Sequence, residues 1–222
     1  MPIIDTAVSG NTSDAVYHSM RECIVSAEWE PGRRLVHRQL AGQFGTSNIP
    51  VLEALRRLES DGLVSSYPNA GARVREWTED DIQETFLARE ALEGVTCRLF
   101  VERAARREKA RLKDLSEKFD DACKAKDCAA ICQADVAFHL YIAGSYNATA
   151  ASSSPLFRLV QNSCLLTATI KNVHLERPNV GPVGVHDSLV DALCSDDPDL
   201  AERVGREHVR GSLDYAEKFS QQ

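Results

Sequence analysis

The stretch that most constrains this 222-residue chain is LAGQFGTSNIPVLEALRRLESDGLV, from Leu40 to Val64. Its apolar residues recur at helical spacing, and its punctuation falls where two short helices need it. Val36, Leu40, Ala41 and Phe44 share one face of a first helix. Gly45 stands where a helix C-terminus calls for a left-handed residue, and Ser47 is placed as the N-cap of a second helix. Pro50 lies in the first turn of that helix, where a missing N–H costs nothing. Val51, Leu55 and Leu58 form its buried stripe, Gly62 stops it, and Asn48, Leu52, Arg56 and Arg57 face outward. Two helices joined by so tight a turn, the second with a polar and basic outer face, spell a helix-turn-helix, a motif that reads the major groove of duplex DNA.

The next residues add a wing. Leu63–Tyr67 has strand character, Pro68-Asn69-Ala70-Gly71 makes a turn, and Ala72–Arg75 returns. At this point the chain resembles the GntR family of bacterial transcription regulators. The resemblance is carried by Leu40-Ala41, Gly45, Ser47, Pro50-Val51, Glu53-Ala54-Leu55, Leu58, Gly62-Leu63-Val64, Gly71-Ala72 and Val74. Together with the arginine placement it implies operator contact by Arg38, Ser47, Asn48, Ile49, Leu52, Arg56 and Arg73. The scaffold matches more fully than the reading surface does. Asn48 and Leu52 stand where the family usually has Arg, Ile49 where it has Thr, and Ala70 where the wing tip is basic. Asn48 can still read adenine through its amide, whereas Leu52 offers only apolar contact, for instance to a thymine methyl.

A net charge of −7 looks wrong for a DNA binder until it is divided along the chain. Residues 1–78 hold eight Arg, no Lys and nine acids, so the first part is near neutral and the rest carries about −6. Seven of those arginines surround the motif: Arg33, Arg34, Arg38, Arg56, Arg57, Arg73 and Arg75. Screening over about 8 Å in physiological salt makes that local placement count for more than the total. A solvated arginine face is the bland alternative, and the motif tips the reading toward DNA. No apolar run approaches membrane-spanning length and no leader is evident, so a cytoplasmic protein without a membrane partner is expected. The seven cysteines include no C-x-x-C pair, which points to buried reduced thiols rather than a zinc ribbon.

The pattern changes once along the chain. Residues 1–12 read as a mobile tail and 13–77 as the winged helix-turn-helix, whose first helix runs from Asp14 to about Ala27 with Val16, Met20 and Ile24 inward. Residues 78–219 read as helices only, over 79–105, 107–125, 128–145, 153–172, 185–195 and 198–219, with a capping-box start at Thr78 and Asp81 and a break across 177–182. The predicted fold class is therefore mainly α, a winged helix-turn-helix followed by an antiparallel helical bundle.

Four polar residues interrupt the bundle's apolar stripes. Asp135 and His139 are one turn apart on a face shared with Ile131, Phe138 and Ile142. His186 shares a face with Leu189 and Leu193, and His208 with Ala201 and Val204. One such His is usually a satisfied core residue; three with a spaced Asp could supply four ligands to a divalent transition metal. The bundle resembles the FCD domain, the ligand-binding half of FadR-like GntR regulators, through Arg89 with Leu92-Glu93, Asp135 with Phe138-His139, His186 and His208. That resemblance implies a zinc or nickel site at Asp135, His139, His186 and His208, and a homodimer. It also implies a small carboxylate effector bound by Arg89 beside the metal. An internal salt bridge from Arg89 to Glu93, one turn away, is the plainer alternative. The leading expectation is an effector-responsive regulator of operator DNA. A regulator with a purely structural metal and a metal-dependent hydrolase are the other readings, the last without any residue that stands out as base or nucleophile.

Overall fold

The computed structural model describes residues 12–67, 70–145, 154–174 and 182–220. Most of the expected tail, the hairpin tip at Pro68-Asn69, the start of the fourth bundle helix and most of the break across 177–182 lie outside the described residues. The chain divides into two compact units, Met1–Trp77 and Thr78–Gln222.

In the first unit, α1 (Thr12–Val25) packs on α3 (Asn48–Ser60), with α2 (His37–Gln43) between them in sequence. Val16, Met20 and Ile24 on α1 and Val51 and Leu58 on α3 are fully buried, as their spacing predicts. Gly45, at φ +60°, closes α2, and the Thr46 N–H donates to the Ala41 carbonyl at 2.9 Å. Ser47 occupies the N-cap position of α3, but its side chain makes no capping hydrogen bond. The wing strands β2 (Val64–Tyr67) and β3 (Gly71–Val74) pair antiparallel, with Val64 opposite Val74. A short strand absent from the sequence reading, β1 (Arg34–Leu35), adds to the other side of β3 and gives the order β1-β3-β2. Two residues are too few to carry a period-2 signal.

The second unit is helical throughout its described residues. It comprises α4 (Glu79–Arg103), α5 (Arg106–Ala125), α6 (Cys128–Ser145), α7 (Pro155–His174), α8 (Asp187–Cys194) and α9 (Pro198–Ser220). The capping box forms: the Asp81 N–H donates to Thr78 Oγ1 at 3.1 Å, and the Thr78 N–H to Asp81 Oδ2 at 3.0 Å. Phe100, Leu112, Phe138, Ile142, Leu189 and Leu193 make one apolar cluster that joins α4, α5, α6 and α8. Helix ends fall within a few residues of expectation. One difference matters: α8 begins at Asp187, so His186 is its N-cap residue rather than part of its apolar face.

α4 packs extensively on α9, and Gly205 leaves room for the contact. A Cβ at Gly205 would lie 2.7 Å from Cys97 Sγ, inside a buried contact that cannot easily yield. Gly205→Ala gains roughly 1 kcal/mol of helix propensity. Overpacking costs about 1–3 kcal/mol. Net destabilisation of the helical unit in a thermal melt is therefore expected, with partial recovery in the Gly205→Ala, Cys97→Ala double variant. A double variant destabilised by the full sum of the two single changes would show that the clash is not the cause.

Candidate metal centre and nucleic-acid interface

The four polar interruptions converge. α6 presents Asp135 and His139 on the same face, because residues four apart stack along a helix. His186 arrives from the N-cap of α8 and His208 from the middle of α9. One ring nitrogen from each of His139, His186 and His208 can be chosen so that all three lie within 4.8 Å of one another. Asp135 Oδ1 is 3.5 Å from His139 Nε2 and 3.4 Å from His186 Nε2. The His186 ring is held by stacking on Phe138 at 4.2 Å and by an edge contact to Phe119 at 4.5 Å between centroids.

A second layer stands behind these residues. Glu93 on α4 places Oε2 2.8 Å from His139 Nδ1, near enough for an ion pair though off the line a hydrogen bond needs. Glu93 Oε1 accepts from Arg89 Nε at 2.5 Å, and Arg89 Nη1 donates to Thr167 Oγ1 on α7 at 2.7 Å. The remaining Arg89 nitrogen, Nη2, is 3.8 Å from Asp135 Oδ2. Burial by itself would favour neutral Glu93, but the Arg89 charge, with His139, holds its carboxyl well below the usual range. Asp135 behaves alike: burial pushes its carboxyl up, and His139, His186 and Lys171 outweigh it, keeping it ionised. Burial pushes His186 down, and it pushes His208 down to about 3 with help from His139 and His186. Burial would lower His139 as well, but Glu93 raises it on balance.

These residues fit a divalent transition metal. His139 Nε2 and both ring nitrogens of His186 are buried without a hydrogen-bond partner, which in an ordinary core costs free energy. Imidazole nitrogens with one carboxylate suit zinc or nickel, and metal binding requires neutral imidazole. Asp135 and His208 also line a cavity of about 370 Å³, whose wall includes Phe119, Ile131, Val204 and Lys171.

Arg89 does not line that cavity. It is 2 % exposed, with its donors turned onto Glu93 and Thr167, so the internal salt bridge is the role its geometry favours over an effector fork. Lys171, which no motif singled out, is on the wall instead.

On the winged unit, Ser47, Asn48, Ile49 and Leu52 are exposed at the start of α3, Ile49 at 68 % and Leu52 at 40 %. Arg38 and Arg56 are exposed and form no ion pair among the described residues. Arg73 is different: it is part-buried, and its Nη1 donates to the Gly32 carbonyl at 2.9 Å, tying β3 to the turn that precedes β1. Arg57 is likewise engaged, paired with Asp14 and packed 3.9 Å over the Tyr17 ring.

Comparison with known proteins decides the family. The model of bacterial regulatory proteins of the gntR family matches residues 12–74, and that of the FCD domain matches 84–211. The chain belongs to the GntR family. It is 30 % identical over 183 residues to a probable D-xylose utilization operon transcriptional repressor of Paenarthrobacter nicotinovorans, covering 79 % of this chain and 75 % of that one. The Escherichia coli regulator McbR is 34 % identical over 113 residues, 51 % of each chain. The solved structure of E. coli McbR/YncC superposes with a TM-score of 0.77 at 24 % identity, covering 94 % of this chain and 98 % of that one. A GntR regulator from Rhodococcus sp. RHA1 gives 0.66 at 21 % identity, covering 93 % and 96 %. This GntR chain is thus a DNA-binding transcription regulator, a family not built for catalysis, and no helix among its described residues is long and apolar enough to cross a membrane.

Removing Arg89 would leave the Glu93 carboxylate buried without its strongest partner. Arg89→Ala is expected to destabilise the helical unit by about 3–5 kcal/mol in denaturant unfolding. A loss below about 1 kcal/mol would show that the pair does not organise this core.

Proposed function

We propose that this regulator binds one divalent metal per chain through Asp135, His139, His186 and His208, and that a small carboxylate in the adjoining cavity controls its operator affinity. The observation that carries the reading is the set of buried, partnerless imidazole nitrogens beside an ionised Asp on the wall of a ligand-sized cavity. A bound metal would supply a Lewis-acid anchor for the effector's carboxylate. The chain's own residues do the rest. Glu93 orients the His139 ring, Arg89 holds Glu93 and faces Asp135, and Phe138 and Phe119 fix His186. Zinc or nickel is the metal the donor set favours.

The protein acts in the cytoplasm as a homodimer, whose two winged units meet a two-fold operator. An effector can shift DNA binding only by binding two arrangements of that dimer with different affinity. α4 carries Arg89 and Glu93 and starts two residues after the end of the first unit, so a change in α4 reaches the winged unit along the chain itself.

Metal analysis of protein purified without chelator should find near one equivalent per chain, and His186→Ala should lose most of it. Chelation should lower the melting temperature; identical melts with and without chelator would count heavily against the site. If acids leave operator affinity unchanged in metal-loaded protein while chelation still destabilises it, the metal is structural only. On the DNA side, Arg38 and Arg56 are the phosphate contacts. Arg56→Ala should weaken binding on all sequences and reduce the salt slope by about one. Asn48→Ala should relax base preference at one operator position, and unchanged preference and affinity would remove Asn48 from the reading surface. Arg73→Ala should act chiefly on stability, given its bond to Gly32.

A further inference from the structure

From the cavity wall we infer that Lys171, not Arg89, is the residue that recognises the effector's charge, and that the effector is a monocarboxylate with a sizeable apolar body. The inference rests on the effector reading above. Lys171 is part-buried near the end of α7 and lines the cavity together with Asp135 and His208. It forms no ion pair within 4.0 Å among the described residues. Asp135, the anion beside it on the wall, is already shared between His139, His186 and Arg89. A part-buried ammonium that has no ion pair among the described residues is poorly compensated for the water it has lost, and a ligand carboxylate offsets that cost. Arg89 cannot serve in its place, because its donors are engaged in the core and it is absent from the wall.

The rest of the wall sets the ligand's body. Phe119, Ile131, Val185 and Val204 make it largely apolar, and about 370 Å³ is far more room than a two-carbon acid fills. An apolar body of roughly six to ten carbons matches a pocket at the lower end of the ligand-binding range. The further charge among the described residues of the wall is Glu207, which repels a second carboxylate.

The test uses full-length, metal-loaded protein with three probes of defined chemistry, phenylacetate, its neutral amide and acetate, followed by calorimetry and thermal shift. Phenylacetate should bind and raise Tm, while the amide and acetate at equal concentration should do so at least tenfold more weakly. Lys171→Met should weaken phenylacetate roughly ten- to a hundredfold. Affinities are compared at equal metal occupancy, because Lys171 is one of the groups that keep Asp135 ionised. The ligand-free Tm should stay level or rise, since an ammonium without an ion pair among the described residues is being replaced by an apolar chain. Lys171→Arg should keep most of the affinity. A lysine with a merely structural role would instead lower the ligand-free Tm and leave the affinity alone. Parent protein that binds phenylacetate as tightly as Lys171→Met overturns the inference and leaves the effector reading standing. Parent protein that binds none of the probes while fully metal-loaded overturns both.

Discussion

The helical unit is organised around an ion pair that most cores avoid. Arg89 and Glu93, one turn apart on α4, are each 2 % exposed. Withdrawing two such charges from water costs several kcal/mol per ion, and their attraction repays it only when the remaining donors and acceptors are used. Here they are used across three helices. Thr167 on α7 accepts from Arg89, Asp135 on α6 faces its third nitrogen, and His139 on α6 sits against the free Glu93 oxygen. A shift of α6 or α7 against α4 would strand a buried charge. The pair therefore fixes helix register more than it adds net stability.

That register decides what the polar centre can do. Held charges at Glu93 and Asp135 stand beside His186 and His208, which burial keeps neutral. A neutral imidazole such as His186, both of whose ring nitrogens lack a hydrogen-bond partner, is a poor way to fill a core, and Phe or Leu would pack the same volume at less cost. Within the proposed reading, a metal resolves the anomaly, since it uses the nitrogens that the protein leaves unpaired. The surrounding apolar cluster, from Phe100 and Leu112 to Leu189 and Leu193, supplies the stability that the polar centre does not.

Different parts of this architecture were legible in the sequence for different reasons. The helix-turn-helix announced itself through agreeing local signals, Gly45, Pro50, Gly62 and two apolar stripes. β1 was invisible because Arg34-Leu35 gains its partner only when β3 arrives from almost forty residues away. Asp135, His139, His186 and His208 were legible as polar residues in apolar faces. That pattern reports burial, not the identity of the partner, which is why Arg89 fitted a ligand fork and a salt bridge equally well until its neighbours were placed. Lys171 carried no signal at all. A lysine in the last turns of a helix is favoured by the helix dipole, so it reads as an ordinary solvated end. Only tertiary packing turns it toward a cavity.

The winged unit bears on what the proposed dimer would add to DNA binding. Of the arginines around its motif, Arg57 and Arg73 are engaged within the fold, whereas Arg38 and Arg56 remain exposed and form no ion pair among the described residues. Each phosphate neutralised contributes a salt slope of about 0.9. Arg33 and Arg34 are exposed as well, but Ile49 and Leu52 stand where the family usually carries polar or basic readers, so base readout by one winged unit rests on few groups. Two units linked in a dimer bind with the product of their affinities, scaled by an effective concentration that depends on how well their spacing matches the operator. The weaker each unit is alone, the more of the total affinity resides in that spacing. Within the proposed reading, a recognition helix short of basic readers leaves more of the operator affinity to the dimer's spacing, and that is the property effector control would require.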